Sequence, residues 1–161
     1  GAAVRARPAV CMARLVRAAR REDLSLLVRW AEAMALETEQ KQLDVSVVEP
    51  GIANGLADPE RCRYFIAERA GEPAGTMMYT REWSDWRNAW WWWIQSVYVP
   101  PEHRRLGVYR SLFAHVRELA RAAPDVYGLR LYVERDNVWA QRTYEHLGMN
   151  DAGYRMYEIR K

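Results

Sequence analysis

Cysteine is scarce in this chain. Of 161 residues only Cys11 and Cys62 are cysteines, and neither has neighbours that form a disulfide framework or a metal site. Histidine is nearly as rare: His103, His115 and His146 stand far apart. No His/Cys cluster has ligand spacing, so no metal is expected. Lysine occurs only at Lys41 and Lys161, and arginine carries almost all the positive charge. The chain has no basic block and no tract that interleaves basic and aromatic residues, which argues against nucleic acid as partner. It has no apolar run long enough to span a bilayer, so no membrane partner is expected. The opening "GAAVRARPAV" lacks the apolar centre of a signal peptide. The expected location is therefore the cytoplasm. There is no repeat, linker or low-complexity segment.

What is present suits one folded domain. Half the residues are hydrophobic and the net charge is +3, a balance that fits a globular protein and mildly favours an anionic ligand. Residues 1–12 read as a flexible N-terminal extension and 13–161 as the domain. Ala13 to Ala19 is strand-like. Leu24, Leu27, Val28, Ala31 and Met34 or Ala35 repeat at helical spacing after Asp23. A second, weaker helix opens at Asp44 or Ser46 and is expected to break near Pro50. The stretch from Cys62 to Trp83 reads as two strands around the turn "AGEPAG". "AWWWWIQSVYV" is the next strand and stops at Pro100–Pro101. Val108, Leu112, Phe113, Val116, Leu119 and Ala120 form one helical stripe. "VYGLRLYVERD" is a strand, "NVWAQRTYEHLG" a helix with Asn137 as N-cap and Gly148 past its end, and "AGYRMYEIR" a last strand. The order β-α-α-β-β-β-α-β-α-β implies a mixed α/β domain with helices covering a central sheet.

The chemistry concentrates after the tryptophans. In "IQSVYVPPEHRRLGVYRSL" a strand leads through an arginine-rich loop with Gly107 into a helix. Backbone N–H groups at such a turn, with the positive end of the helix, suit a phosphate or pyrophosphate. Arg104, Arg105 and Arg110 add charge at the same point.

Here the residues resemble a family. "RRLGVY" looks like the acetyl-coenzyme A signature of the GNAT superfamily of N-acetyltransferases: Arg or Gln, two residues, Gly, one residue, then Gly or Ala. Arg104 and Gly107 match; Tyr109 stands where a small residue is usual and must point away from the phosphates. "DNVWAQRTYEHLGM" resembles the family's later motif through Asn137, Ala140, Tyr144 and Gly148. The resemblance covers the chain from about Ala13 onward and implies a mixed, mostly antiparallel central sheet flanked by helices.

It also implies function. Acetyl-CoA is the expected cofactor and acyl donor, and an amine of a small molecule or peptide attacks its thioester directly. The phosphate cradle falls on Arg104, Arg105, Leu106, Gly107, Val108, Tyr109 and Arg110, with Asn137 and Tyr144 as further cofactor contacts. Backbone N–H groups of Val97, Tyr98 and Val99, where the fourth strand parts from the fifth, stabilise the oxyanion. Tyr144 matches the general acid that protonates the leaving thiolate; a phenol with a reference pKa of about 10 is protonated at neutral pH. Relatives often carry a base at the positions of Trp93 and Gln95, and neither is a base. Glu82 and Asp85 before the strand, and Glu37 and Glu39 after the first helix, are the candidates, as is a water chain. By the alternation of a strand, Trp91, Trp93, Gln95, Val97 and Val99 share one side, while Trp90, Trp92, Ile94, Ser96 and Tyr98 share the other. By the resemblance the first set faces the acceptor cleft, and the end of the first helix borders it, so Glu37, Trp93 and Gln95 are the expected substrate contacts, with Tyr144 and Glu82 as the expected catalytic residues. Relatives are often dimers, so a homodimer is the expectation. Two alternatives stand beside the enzyme of small amines: an acyl-CoA-binding regulatory or interaction domain without turnover, and an acetyltransferase of protein N-termini or lysines.

Overall fold

A computed structural model of the chain describes residues 14–161; the expected extension 1–12 lies outside them. The elements are β1 (Arg14–Ala18), α1 (Leu24–Glu39), α2 (Val45–Ala57), β2 (Arg63–Arg69), β3 (Glu72–Ser84), β4 (Ala89–Tyr98), α3 (Val108–Ala122), β5 (Val126–Arg130) and α4 (Val138–His146). The chain divides after Arg130 into a large unit that holds the sheet and a small unit, Leu131–Lys161.

In the large unit, five strands form one sheet in the order β1-β2-β3-β4-β5. The first three pairings are antiparallel, and β4 pairs with β5 in parallel. That final pairing requires a crossover, which α3 supplies. Alternation along the strands sorts two faces. Phe65, Met77, Tyr79 and Trp92 lie on one, under α3. There Tyr79 stacks on Trp92 at 4.0 Å and on Phe65 at 6.0 Å, and His115 of α3 meets Phe65 edge-on at 5.2 Å. The apolar stripe of α3 is buried as its spacing predicts: Val108, Leu112, Phe113, Val116 and Ala120, with only Leu119 exposed. Tyr64, Ile66, Thr76 and Tyr98 belong to the other face. Leu27, Val28 and Trp30 of α1 and Ile52 of α2 form a core with Ile66 and Tyr98.

The tryptophan run divides between the faces. Trp92 is buried, 7 % exposed. Trp91 and Trp93, on the opposite face, lie under Arg130, whose guanidinium is 3.9 Å from the Trp91 ring and 5.8 Å from that of Trp93. Trp90, expected to be core, is only half-buried. It sits against Trp83 at 5.0 Å with Arg81 above it at 4.7 Å.

Two further expectations change. Helix α2 runs unbroken through Pro50. Its N-cap Asp44 accepts a hydrogen bond from the Ser46 N–H at 2.9 Å, and burial of Ile52 and Gly55 beyond the proline holds the second half in place; proline there removes a single ladder bond. At the other end, β5 stops at Arg130 and residues 149–161 take no strand conformation. The alternating pattern from Ala152 to Arg160 is necessary for a strand but not sufficient, because a strand exists only with a ladder partner. The small unit's regular element is α4. Asn137 caps it by accepting from the Ala140 N–H at 3.1 Å. Gly148, at φ 89°, closes it: Gly148 N–H donates to Glu145 O and Met149 N–H to Tyr144 O, the paired bonds of a Schellman motif.

Candidate functional site

The site begins with a fault in β4. Met78 pairs with Gln95, but Thr76 pairs with Tyr98. Ser96 and Val97 therefore stand opposite the single residue Met77, and Ser96 takes φ 47°. This is a β-bulge, which locally interrupts the ladder and re-aims the residues that follow it. A non-glycine residue in the left-handed region is uncommon and concentrates at functional sites.

The bulge reverses the faces expected for the end of the strand. Tyr98 turns to the α1–α2 side, where its ring meets Trp30 at 6.2 Å. Val99 turns to the α3 side. A Cβ on Gly75 would come within 2.8 Å of Val108 and 3.3 Å of Val99, so glycine at 75 lets β3, the end of β4 and the start of α3 meet. The second feature is where β4 leaves its neighbour. Pairing with β5 runs only from Trp90–Val126 to Trp93–Arg130, so the bulged end of β4 lies beyond the ladder.

The loop after β4 is shaped by backbone as much as by charge. Arg105 takes φ 60° and Gly107 φ 75°, and α3 starts at Val108 with Gly107 as N-cap. Arg105 and Arg110 are exposed, and Leu106 and Tyr109 half-buried. The Tyr109 ring lies nearly parallel to that of Phe113, 6.4 Å away and inclined by 22°. The bulky residue at the position that is usually small thus packs along its own helix.

Arg104 is engaged. Its Nε donates to the Val99 carbonyl at 2.9 Å, its Nη2 reaches Glu37 Oε2 at 2.5 Å, and its guanidinium lies 5.9 Å from the Tyr98 ring. The Tyr98 hydroxyl donates to Glu37 Oε1 at 3.2 Å. Glu37, at the C-terminal end of α1, is the hub of this cluster. Burial, and then the Glu37 carboxylate, push the Tyr98 phenol above its ordinary pKa, so it stays protonated.

The other carboxylates lie elsewhere. Glu82 pairs in register with Trp91 and bonds Arg130 at 2.8 Å. Six residues of β4, roughly 20 Å at the usual rise, separate Trp91 from Val97. Asp85 is exposed in the turn between β3 and β4 and accepts from the Trp86 N–H. Glu39 is exposed and pairs with Lys41 at 2.8 Å. Gln95 donates to Thr80 Oγ1 at 2.8 Å. Asn137 and Tyr144 belong to the small unit; Tyr144 is half-buried on α4.

Sequence reasoning missed a cavity of about 650 Å³ between α1, α2 and the sheet. Trp30, Met34, Val48, Tyr64, Ser96 and Tyr98 line it, and Trp93 and Gln95 do not. Burial pushes the Tyr64 phenol up to about 12. The stripe read from α1 contained Met34 but not Trp30, and strict alternation had sent Ser96 and Tyr98 to the opposite face. Among the described residues no cluster of His, Cys, Asp and Glu could hold a metal, and no helix is long and apolar enough to cross a membrane.

Comparison with known proteins follows the same lines. The family model described as "Acetyltransferase (GNAT) family" matches residues 25–149. A possible acetyltransferase from Clostridium difficile 630 is 38 % identical, with a TM-score of 0.87 over 92 % of this chain and 97 % of that one. A predicted acetyltransferase from Clostridium acetobutylicum, solved with acetyl-CoA, is 17 % identical, with a TM-score of 0.75 over 91 % and 96 %. A ribosomal-protein-alanine N-acetyltransferase from Brucella melitensis biovar Abortus 2308 is 16 % identical, with a TM-score of 0.74 over 92 % and 99 %; at this identity the likeness is one of fold. No curated protein matches the chain.

Proposed function

Since the chain belongs to the GNAT family of acetyltransferases, whose acyl donor is acetyl-CoA, we propose that it transfers the acetyl group directly to a primary amine. The observation that carries this reading is the bulge at Ser96 and Val97, placed where β4 has left β5 and just before the Gly107 turn. A bulged strand end that is open on its β5 side offers backbone N–H groups to an added extended ligand, here the pantetheine arm, and to the oxyanion of the tetrahedral intermediate. The turn and the start of α3 suit the pyrophosphate.

The proton balance is simple. The ammonium must lose a proton before its lone pair attacks the thioester carbon. The hydrogen bond from Tyr98 to Glu37 supports a short relay: Tyr98 Oη takes the substrate proton as its own passes to Glu37 Oε1. The C–N bond forms, the C–S bond breaks, and the departing thiolate takes a proton from Tyr144, the acid that the family motif implies; the new amide nitrogen returns its extra proton to Tyr144 through water, and Glu37 releases the first proton to solvent. The products are an N-acetyl amide and free CoA.

The test is release of free CoA from acetyl-CoA in the presence of small amines, amino acids, polyamines and N-terminal peptides. Release with small amines is the expected result. Release with peptides alone supports a protein acetyltransferase. CoA binding without release from any of them supports the regulatory reading instead. The acid has its own check. Tyr144→Phe should lower kcat by about 10²-fold and leave acetyl-CoA affinity nearly unchanged; near-normal turnover removes Tyr144 from that role.

A further inference from the structure

The cavity between α1, α2 and the sheet has a chemistry of its own. Its walls are the side chains of Leu27, Trp30, Met34, Val48 and Ile52, which offer no fixed charge. Its volume of about 650 Å³ falls within the usual range for small-molecule sites, ~300–1,000 Å³. Two carboxylates, Glu39 and Asp44, stand among its lining residues. Asp44 spends Oδ1 on the cap of α2, and Glu39 is exposed and paired with Lys41 at 2.8 Å. At the sheet end the lining is Ser96 and Tyr98, the residues that the bulge turns toward this face. Tyr98 links that end by one hydrogen bond to a third carboxylate, Glu37. The cavity is thus apolar along its length and bordered by anions, and it meets β4 where the family places the thioester.

These features select the acceptor. A polyamine or an aminoglycoside would bring several ammonium groups into walls that cannot pair them, and an unpaired charge in an apolar site is strongly unfavourable. An uncharged ligand would bring no proton to the Tyr98–Glu37 pair. An amine with one charged end and an apolar body satisfies both: the body displaces water from the cavity, and the head meets Tyr98 and its carboxylate. We infer that the acceptor is a monoamine with an alkyl or aryl-alkyl body. This rests on the amine acetyltransferase reading above and narrows it to a substrate class.

The experiment is a homologous series of n-alkylamines, from propylamine to octylamine, with wild-type enzyme and saturating acetyl-CoA. 2-Phenylethylamine is the aryl member, and ethanolamine and spermidine are the polar comparisons. Burial of each methylene at ~0.8 kcal/mol corresponds to a rise in kcat/KM of about fourfold per carbon. The expected result is such a rise until the cavity is full, with 2-phenylethylamine well above ethanolamine. Turnover that is flat along the series, or highest with spermidine, overturns this inference and leaves the acetyltransferase reading standing. CoA release with none of these amines but with amino acids or peptides overturns this inference alone, and release with no acceptor of either set, while acetyl-CoA still binds, overturns both.

Discussion

Glu37, on sequence an expected substrate contact, and Glu82, the expected catalytic carboxylate, have different partners in the structure. Glu82 neutralises Arg130 beside the tryptophans. Glu37 receives Tyr98 and Arg104 at the end of β4. Glu37→Gln keeps the shape and can still accept from Tyr98, but it cannot take a proton. It is expected to lower kcat on the order of 10–10²-fold, while Glu82→Gln stays near the wild type; steady-state rates of the two variants check this. Equal loss in both, or in neither, removes Glu37 from the relay. The tryptophans separate in the same way. Trp92 is buried in a stack with Tyr79, so Trp92→Ala should cost ~3–5 kcal/mol of stability. Trp90 is half-buried beneath Arg81, and Trp90→Ala should cost clearly less. Urea unfolding of both variants gives the comparison. Four adjacent identical residues conceal this difference, because period two assigns a face but not how deeply that face is covered.

At the scale of elements, one arginine ties together three segments. Arg17, in β1, bonds Asp23 at 2.8 and 3.0 Å and Glu68 of β2 at 2.6 Å. Asp23 also accepts from the Arg20 N–H at 2.6 Å, just before α1. Arg17 and then burial and the Arg20 N–H act on this carboxyl with a net downward shift from its ordinary 3.8. A lowered folded pKa contributes stability that is present above the unfolded value and lost as pH falls through the folded one. Asp23→Asn should therefore be less stable than wild type by about 1–3 kcal/mol at neutral pH. The gap should hold down to about pH 5 and close below 3.8; thermal melts along a pH series measure it. Most elements were legible beforehand because each signal was local: the stripe of α3, the Asp44 and Asn137 caps, the hairpin β2–β3. Three features were not, and each is decided by something distant in sequence. Pro50 stays inside α2 because burial beyond it outweighs one lost bond. The final strand pattern lacks a ladder partner. The bulge at Ser96 is fixed by register against β3, and that single extra residue carries Tyr98 to the opposite face. The Gly107 turn was therefore readable, and the cavity beside the bulge was not.

On the reading proposed above, unlike physics governs the two ends of one reaction. The net charge is only +3, so long-range attraction of a polyanion is weak and binding of the donor depends on local groups. On the proposed reading those groups are the backbone of the Gly107 turn and the exposed Arg105 and Arg110. Exposed charges are screened strongly: the Debye length falls from about 10 Å at 0.1 M salt to about 3 Å at 1 M. The proposed acceptor cavity has mainly apolar walls, and burial of apolar surface is not weakened by screening. Raising NaCl from about 0.1 M to about 1 M should therefore increase the KM for acetyl-CoA severalfold. The ratio of kcat/KM between a long and a short alkylamine should hold or rise over the same range. Initial rates at both salt concentrations, with each substrate varied in turn, measure the two effects in one protein. A donor KM that ignores salt would assign the phosphates to backbone N–H groups alone. A chain-length ratio that collapses with salt would mean that charge, not apolar burial, selects the amine.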